Sequence, residues 1–357
     1  MANTPGSARN KADKERSKQM SRPIQGRDST KRRGQPSGPT KSTRRSTRNG
    51  PAQRSGARSQ AKPAGRLSRR SPTALLTWGT VAVVLVIVVV LVVVKVTGGP
   101  GLASGTSWSP ASAVVTNDIA NVPASVFDKV GITSDAATIF PPIVISGQPP
   151  LTFSGSNGAK LPGVFFYGAE YCPHCAAERW ALSIALSRFG TFHGLGNMTS
   201  SSTDEPPSIA TITFRKATFT STYIAFRSQE AFSDQPAPAG NGYEPLQRGT
   251  KQEDKLVSQY NSHTYFPSIT PGYAAFPFID FGNKVLSEEN YSPSFLQGLS
   301  RDQIAAALRE PTNAIGQAIV ASANYLSAAI CNIDHDQPGA VCTSRGVSAA
   351  ARSLKLG

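Results

Sequence analysis

Cys172 and Cys175 are the residues of this chain whose type and spacing point most directly to a chemical reaction. They enclose Pro173 and His174 in the tetrapeptide Cys-Pro-His-Cys. Two intervening residues allow the sulfurs to close a disulfide across one helical turn, and the thiolate is the form of cysteine that attacks a disulfide. We expect Cys172 to be the exposed nucleophile, with His174 stabilising its thiolate. Cys175 should be the buried thiol that resolves the mixed disulfide.

The pattern on either side of the motif predicts a strand followed by a helix. Val164–Tyr167 is a short apolar and aromatic run between two glycines, which is typical of a buried strand. Ala176, Trp180 and Ile184 then recur at intervals of four residues, which predicts an amphipathic helix that ends near Gly190. The motif therefore lies at a helix N-terminus, where unpaired N–H groups and the helix dipole favour thiolate over thiol. The proline of the motif suits the first helical turn, because its missing N–H costs nothing there.

Two other interpretations of the cysteine pair remain open. A C-x-x-C motif can be half of a zinc site, but such a site needs two further ligands. The other cysteines, Cys331 and Cys342, are separated by ten residues and lie more than 150 residues away, and His193 and His263 stand alone. A purely structural disulfide is the second alternative. We favour redox chemistry and expect neither a metal nor a cofactor.

The segment VFFYGAEYCPHC resembles the strand, active-site turn and helix of the thioredoxin superfamily. Its Pro-His dipeptide is similar to that of bacterial periplasmic thiol oxidases of the DsbA type. Residues 273–284, YAAFPFIDFGNK, are similar to the thioredoxin strand that carries a cis-proline opposite the active site. The resemblance assigns that role to Pro277, which would leave the backbone of the preceding residue free to pair with an extended substrate. Asp280 to Asn283 would form the turn into a last hairpin strand, Lys284 to Leu286.

A closer resemblance is to an uncharacterised family of membrane-anchored, thioredoxin-like proteins of unknown function found in bacteria and archaea. It rests on the stretches GAEYCPHCAAERWALSIALSRFG, PFIDFGNK, YSPSFLQGLS and ANYLSAAIC…PGAVC, which are spread from about residue 163 to residue 342. The resemblance implies a fold and a location, but no substrate. The sequence departs from the thioredoxin pattern at one position. Thioredoxin-like catalysts often bury an acid six residues before the first cysteine, but this chain has Phe166 there. Glu170 is either a substitute for that acid or a solvated surface residue.

The positive charge of the chain is concentrated at its N-terminus. Of the 37 Lys and Arg residues in the 357-residue chain, 20 lie in residues 1–71 beside three acids, whereas the remaining residues carry 17 bases and 19 acids. The segment 1–71 has few apolar and no aromatic residues, so burial cannot offset the entropy of ordering it. We predict a disordered cytoplasmic tail. An arm that binds anionic lipid or nucleic acid is the alternative, and no specific nucleic acid is expected as a partner.

A membrane-spanning helix is predicted after the tail. Pro72–Val94 contains no charge over 23 residues, which at about 1.5 Å per residue is long enough to cross a hydrocarbon layer of about 30 Å. The basic residues before it and the single Lys95 after it place the N-terminus in the cytoplasm. A cleaved signal peptide would have a shorter apolar region behind a short basic start. We therefore predict a transmembrane helix at 72–96, a linker at 97–112 and an extracytoplasmic domain at 113–357.

The fold class expected for this domain is α/β, thioredoxin-like, with insertions and a C-terminal helical extension. Apolar runs and turn residues predict further strands at Pro142–Ser146, Ala210–Phe214 and Thr222–Phe226. Helices are predicted within Asn121–Gly131 and at Glu253–Tyr260, Gln303–Leu308, with Ser300 as its N-cap, and Asn313–Ile330, which should pack against the sheet.

Cys331 and Cys342 are predicted to form a structural disulfide at the C-terminal end of the domain, since disulfides persist in oxidising compartments. A second redox pair that exchanges electrons with the Cys-Pro-His-Cys motif is the alternative. Asp334, His335 and Asp336 lie between these cysteines and either contact a metal or form a polar turn, which we favour.

The function expected from these features is thiol–disulfide exchange on exported proteins by a membrane-anchored oxidoreductase. The Pro-His dipeptide favours the oxidase direction, because it stabilises the thiolate of the reduced form. The expected partners are exported cysteine-containing proteins and a redox partner in the membrane. A non-enzymatic envelope binding module with a thioredoxin-like fold and a thiol-based metal chaperone are the alternatives.

Overall fold

The computed structural model of the chain describes residues 108–156, 158–238 and 240–356. The predicted tail at 1–71, the predicted transmembrane helix at 72–96 and residues 97–107 of the predicted linker lie outside the described residues. The described chain is a mixed α/β domain with a sheet and helices.

The strands are short, and the helices concentrate at the two ends of the described chain. The strands are β1 (Ile143–Val144), β2 (Thr152–Ser154), β3 (Lys160–Gly168), β4 (Thr191–His193), β5 (Gly196–Thr199), β6 (Ala210–Thr213), β7 (Thr218–Thr220), β8 (Ala225–Glu230), β9 (Phe232–Pro236), β10 (Tyr243–Pro245), β11 (Phe278–Phe281) and β12 (Val285–Ser287). The helices are α1 (Ala113–Ala120), α2 (Ala124–Val130), α3 (Pro173–Leu186), α4 (Lys251–Tyr260), α5 (Arg301–Ala307), α6 (Ala314–Ile333), α7 (Gly339–Cys342) and α8 (Arg345–Leu354), with a 3₁₀ turn at Pro293–Leu296.

Strand β3 is the centre of the main sheet. It pairs with β8 in parallel and with β11 in antiparallel orientation, and β12 and β1 extend the sheet beyond β11. Strand β2 pairs with the first residues of β3. Phe166 lies opposite Ile279 on one side and opposite Ser228 on the other. The strand that leads into the cysteine motif is therefore held by neighbours on both edges.

Both faces of β3 are buried, which explains its continuous apolar run. Val164 and Phe166 face the larger core, which α3 and α6 complete. Phe165 faces a second core with Leu286 and with Tyr260 of α4. Strands covered on both faces are uniformly apolar rather than alternating. The strand predicted at Val164–Tyr167 is present, and it extends over Lys160–Gly168.

Helix α6 is the longest helix among the described residues, and it packs mainly on α3 and α8 rather than on the sheet. It is rich in small residues, which allow close helix–helix contact. In the part of the chain that the structure describes, it is the one helix long and apolar enough to cross a membrane, but 83% of its apolar window is buried inside the domain. Asn313 caps its first turn by accepting from the N–H groups of Ile315 and Gly316.

Several boundaries differ from the sequence prediction. Helix α3 ends at Leu186 rather than near Gly190, and α6 continues past Cys331 to Ile333. The predicted linker ends earlier than expected, because Pro110 forms a β-bridge with Gly196 and the N–H of Ala111 donates to the carbonyl of Leu195 at 2.8 Å. The linker was predicted from a composition typical of a spacer, and composition gives no information about such long-range contacts.

Candidate active site

Cys172 is the N-cap residue of α3. Its backbone is extended, and its Sγ accepts a hydrogen bond from the N–H of Cys175 at 3.2 Å. Pro173 occupies the first helical position. An N-cap side chain that accepts from the first turn lies at the positive end of the helix dipole. The local sequence thus places the sulfur of Cys172 where negative charge is stabilised.

The two thiols of the motif differ in electrostatics rather than in exposure. Cys172 is 4% exposed and Cys175 is 0% exposed, so the expectation that Cys172 would be exposed is wrong. Burial opposes ionisation of Cys172, but the hydrogen bond from Cys175 and the charge of His174 together lower its pKa below the ordinary value. Burial and the neighbouring Cys172 raise the pKa of Cys175. Cys172 is therefore the stronger candidate for the nucleophile.

Pro277 lies beside the motif, as the resemblance implies. The Phe276–Pro277 peptide bond is cis, and the Sγ of Cys172 lies 3.8 Å from the carbonyl oxygen of Phe276. Strand β11 begins at Phe278, which pairs with Tyr167 at the end of β3. The antiparallel pairing of β11 with β3 is what brings these distant segments of the chain together.

His174 contacts a carboxylate that the sequence did not suggest. Its Nδ1 lies in hydrogen-bonding contact with Oε2 of Glu289, which lies just beyond β12. The His174 side chain is 23% exposed and that of Glu289 is 8% exposed. No local signal connects two residues that stand 115 positions apart.

A buried group of charges lies next to the motif. Arg179, on α3, donates to both carboxylate oxygens of Glu230 at 3.0 and 2.6 Å, and both side chains are buried. Arg179 also donates to the carbonyl of Ala169 at 2.8 Å, and its charge lowers the pKa of both cysteines of the motif. A Cβ atom at Gly168 would lie 3.3 Å from the Sγ of Cys175, so the inner sulfur packs against the same end of β3.

Glu170 belongs to this buried group and is not a surface residue. Its side chain is fully buried and accepts a hydrogen bond from the hydroxyl of Thr213 at 2.8 Å. Burial, together with the charge of Glu230, raises the pKa of Glu170 to about 7. A carboxyl group that titrates near neutral pH can accept or release a proton under physiological conditions.

An aromatic cluster flanks the motif on the side of the hairpin β9–β10. Tyr171 stacks on Tyr243 with ring centroids 3.9 Å apart, and Tyr167 contacts Phe276 at 4.8 Å. Phe232 lies 6.1 Å from Phe276. Phe232 belongs to β9 and Tyr243 to β10. This hairpin therefore contributes aromatic side chains to the surroundings of the motif.

Cys331 and Cys342 are joined by a disulfide, with their Cα atoms 5.7 Å apart. Together with Asp334 they form the one group of metal-ligand type found among the described residues, and its ligand atoms lie within 4.8 Å of one another. Because two of the three are bonded to each other, they are not available as thiolate ligands in this state. Asp334 instead accepts from the N–H of Gln337 at 3.1 Å, in a polar turn.

Comparison with known proteins yields one match. The model of a family described as Domain of unknown function (DUF929) matches residues 153–332. No curated protein and no solved structure matches the chain significantly. The matched range includes β3, the cysteine motif, Pro277, Glu289 and Cys331. Since it spans half of the chain, the protein belongs to the DUF929 family.

Proposed function

We propose that this protein is a membrane-anchored thiol–disulfide oxidoreductase with a thioredoxin-like domain that acts on exported proteins. The observation that carries the proposal is the setting of Cys172. Its sulfur caps α3, lies 3.8 Å from the carbonyl of the residue before Pro277, and has a lowered pKa although it is buried. A purely structural disulfide does not require a stabilised thiolate, whereas a cysteine nucleophile reacts as the thiolate and does require it.

The arrangement of the sheet supports the thioredoxin-like part of the proposal. The motif follows the central strand β3 and opens α3, and Pro277 directly precedes β11, the antiparallel neighbour of β3. This order is consistent with the strand, active-site turn, helix and neighbouring proline-bearing strand that the resemblance implies. The strands β4 to β7, β9 and β10 and the helix α4 then constitute the insertions, and α5 to α8 the C-terminal extension.

In the oxidase direction, the motif begins as a Cys172–Cys175 disulfide. A substrate thiolate attacks Sγ of Cys172, a new S–S bond forms, and Cys175 leaves as a thiolate. A second substrate thiolate then attacks the substrate sulfur of the mixed disulfide and releases Cys172 as a thiolate. The substrate leaves with a disulfide, and its two electrons reside on the cysteine pair until a redox partner in the membrane removes them.

The proton balance of this step involves the buried acid. Because burial raises the pKa of Cys175, its leaving thiolate takes up a proton. The pKa of Glu170 is about 7, and the charge of Arg179 interacts with both Glu170 and Cys175. We assign to Glu170 the role of exchanging this proton, in place of the acid that Phe166 replaces.

The oxidase direction follows from the stabilised thiolate. A lowered pKa at Cys172 stabilises the reduced form, so the oxidised form accepts electrons readily. The membrane anchor at 72–96 and the extracytoplasmic location belong to the same proposal and rest on the charge distribution around the apolar segment.

A non-enzymatic binding module is the second candidate function, and one observation favours it. Both cysteines of the motif are buried, as expected for an inert staple. A thiol-based metal chaperone is distinguished from both by metal binding to the reduced pair. Reactivity of Cys172 separates the enzyme from the staple.

The test is mixed-disulfide trapping with the full-length chain. Cys175→Ala should accumulate covalent adducts between Cys172 and exported proteins after acid quenching and alkylation. The Cys172 thiolate can still attack a substrate disulfide, which reverses the last step above, and no Cys175 thiol remains to break the mixed disulfide. Cys172→Ala, the matched control, should accumulate almost none. If adducts are absent and Cys172 is alkylated no faster than an ordinary free cysteine at neutral pH, the enzyme proposal fails and the binding module takes its place.

A further inference from the structure

We propose that Glu289 is a positioning residue for the redox reaction, which holds the His174 side chain in its imidazolium form beside the Cys172 thiolate. The inference rests on the proposed function and extends it to a residue outside the cysteine motif. In this proposal Glu289 acts through His174, because its Oε2 makes a direct contact with Nδ1 of the imidazole.

The segment that carries Glu289 is anchored along α3. The backbone N–H of Asn290 donates to Oε2 of Glu178 at 3.0 Å, and the hydroxyl of Tyr291 donates to the carbonyl of Ala177 at 2.7 Å. The amide of Asn290 also donates to the carbonyl of Phe140 at 2.6 Å. These bonds flank Glu289 and place its carboxylate against the first turn of the helix. The contact with His174 is therefore part of a built site rather than a chance meeting of surface side chains.

Two other acidic groups near His174, Glu178 and Asp204, have raised pKa values. Glu178 lies one helical turn further along α3, is completely buried, and its pKa is raised well above the ordinary value by burial. Burial therefore disfavours its charged form. Asp204 feels the charge of His174, and burial raises its pKa. Glu289, by contrast, contacts the imidazole directly.

Two effects of Glu289 on Cys172 have opposite signs. A carboxylate repels a thiolate directly, which would raise the pKa of Cys172. The same carboxylate favours the protonated imidazole, whose positive charge lowers the pKa of Cys172. We expect the second effect to be the larger one, because Glu289 contacts His174 directly and the charge of His174 acts on Cys172. The sign of the change in a Glu289 variant therefore identifies the mechanism.

The test uses the full-length chain with the motif reduced, and it measures the pH dependence of Cys172 alkylation by peptide-resolved mass spectrometry. Glu289→Gln should shift the midpoint upward by about one pH unit. The tenfold loss of thiolate should lower the reduction potential of the cysteine pair by about 30 mV. Glu289→Asp, which keeps the charge on a shorter side chain, should restore part of the shift.

Two controls test whether the effect is specific to the contact between Glu289 and His174. Glu310→Gln, the same change at an exposed position, should leave the midpoint unchanged. In a His174→Phe background, Glu289→Gln should no longer raise the midpoint, because the imidazole through which Glu289 acts on Cys172 is missing. NMR titration of the His174 ring should show its proton lost at lower pH in Glu289→Gln than in the wild type.

Three outcomes would overturn the inference. They are a lowered midpoint in Glu289→Gln, an equal upward shift in Glu310→Gln, and an unchanged upward shift without His174. Each of them presupposes a wild-type Cys172 that reacts faster than an ordinary thiol. If the wild-type Cys172 is itself unreactive and traps no substrate, the proposed function has failed first, and the two failures are thereby distinguished.

Discussion

Glu170→Gln should remove a distinct part of the pH dependence of the domain's stability. The pKa of Glu170 is raised from 4.5 to about 7, first by burial and then by the charge of Glu230. The folded state therefore holds the proton up to about pH 7, whereas the unfolded chain releases it near pH 4.5. A raised acid pKa contributes stability that is present below the unfolded value and is lost as the pH rises through the folded value.

The size of this loss follows from the two pKa values. Each pKa unit corresponds to about 1.4 kcal/mol, so the step from 4.5 to about 7 corresponds to about 3 kcal/mol. Glutamine keeps the shape of the side chain and an oxygen that accepts from Thr213, but it carries no titratable proton. Relative to the wild type, the variant should therefore gain about 3 kcal/mol between about pH 4 and pH 7.

Denaturant unfolding of the full-length chain measures this difference. Tryptophan fluorescence is a suitable signal, because Trp180 is buried and its Nε1 donates to the carbonyl of Ala210 at 3.1 Å. Other buried acids add to the pH dependence of both proteins, so the difference between the two curves isolates Glu170. Glu310→Gln, the same change at an exposed position, should leave the curves parallel. Parallel curves for Glu170→Gln would refute the reasoning.

Two further predictions concern the disulfide and the topology. Replacing both Cys331 and Cys342 by Ala should lower the free energy of unfolding by roughly 3 kcal/mol, measured by thermal unfolding. Thiol exchange at Cys172, measured by alkylation, should persist. Loss of exchange in a folded double variant would instead indicate a redox shuttle. A membrane-impermeant protease applied to intact cells should remove the domain at 113–357 and spare the tail at 1–71, as detected by terminal epitopes, and protection of the domain would contradict the predicted orientation.

Local patterns were sufficient to predict the elements that carry the motif. The strand before Cys172 and the helix after it follow from an apolar run between glycines and from a four-residue repeat, both of which express short-range geometry. Ser300 caps α5 by accepting from the N–H of Gln303, and the helix at 253–260 was predicted with its N-terminus two residues late. Such features depend on residues a few positions apart, so the sequence contains them directly.

The burial of individual side chains was not predictable in this way. Glu170 has the same local context whether it faces solvent or the core. It is buried because it meets Thr213 of β6, beside the buried Arg179–Glu230 pair. Cys172, too, is buried by tertiary contacts, although its position at a helix N-terminus suggested exposure. A hydrophobic pattern predicts which face of a helix or strand is buried. It does not predict which distant residues pack against the end of that helix or strand.

What the sequence determined by itself is therefore the chemistry available at the start of α3: two thiols, a proline and an imidazole at a helix N-terminus. What only the tertiary structure decided is how that chemistry is tuned. Glu289 meets His174 across 115 positions, and Glu230 meets Arg179 across 51. These contacts depend on the pairing of β11 and β8 with β3, and that pairing is selected by the packing of the whole core. Coulomb interactions act over a few ångströms of space and not over positions in the chain, so they appear only once the fold has brought the charges together.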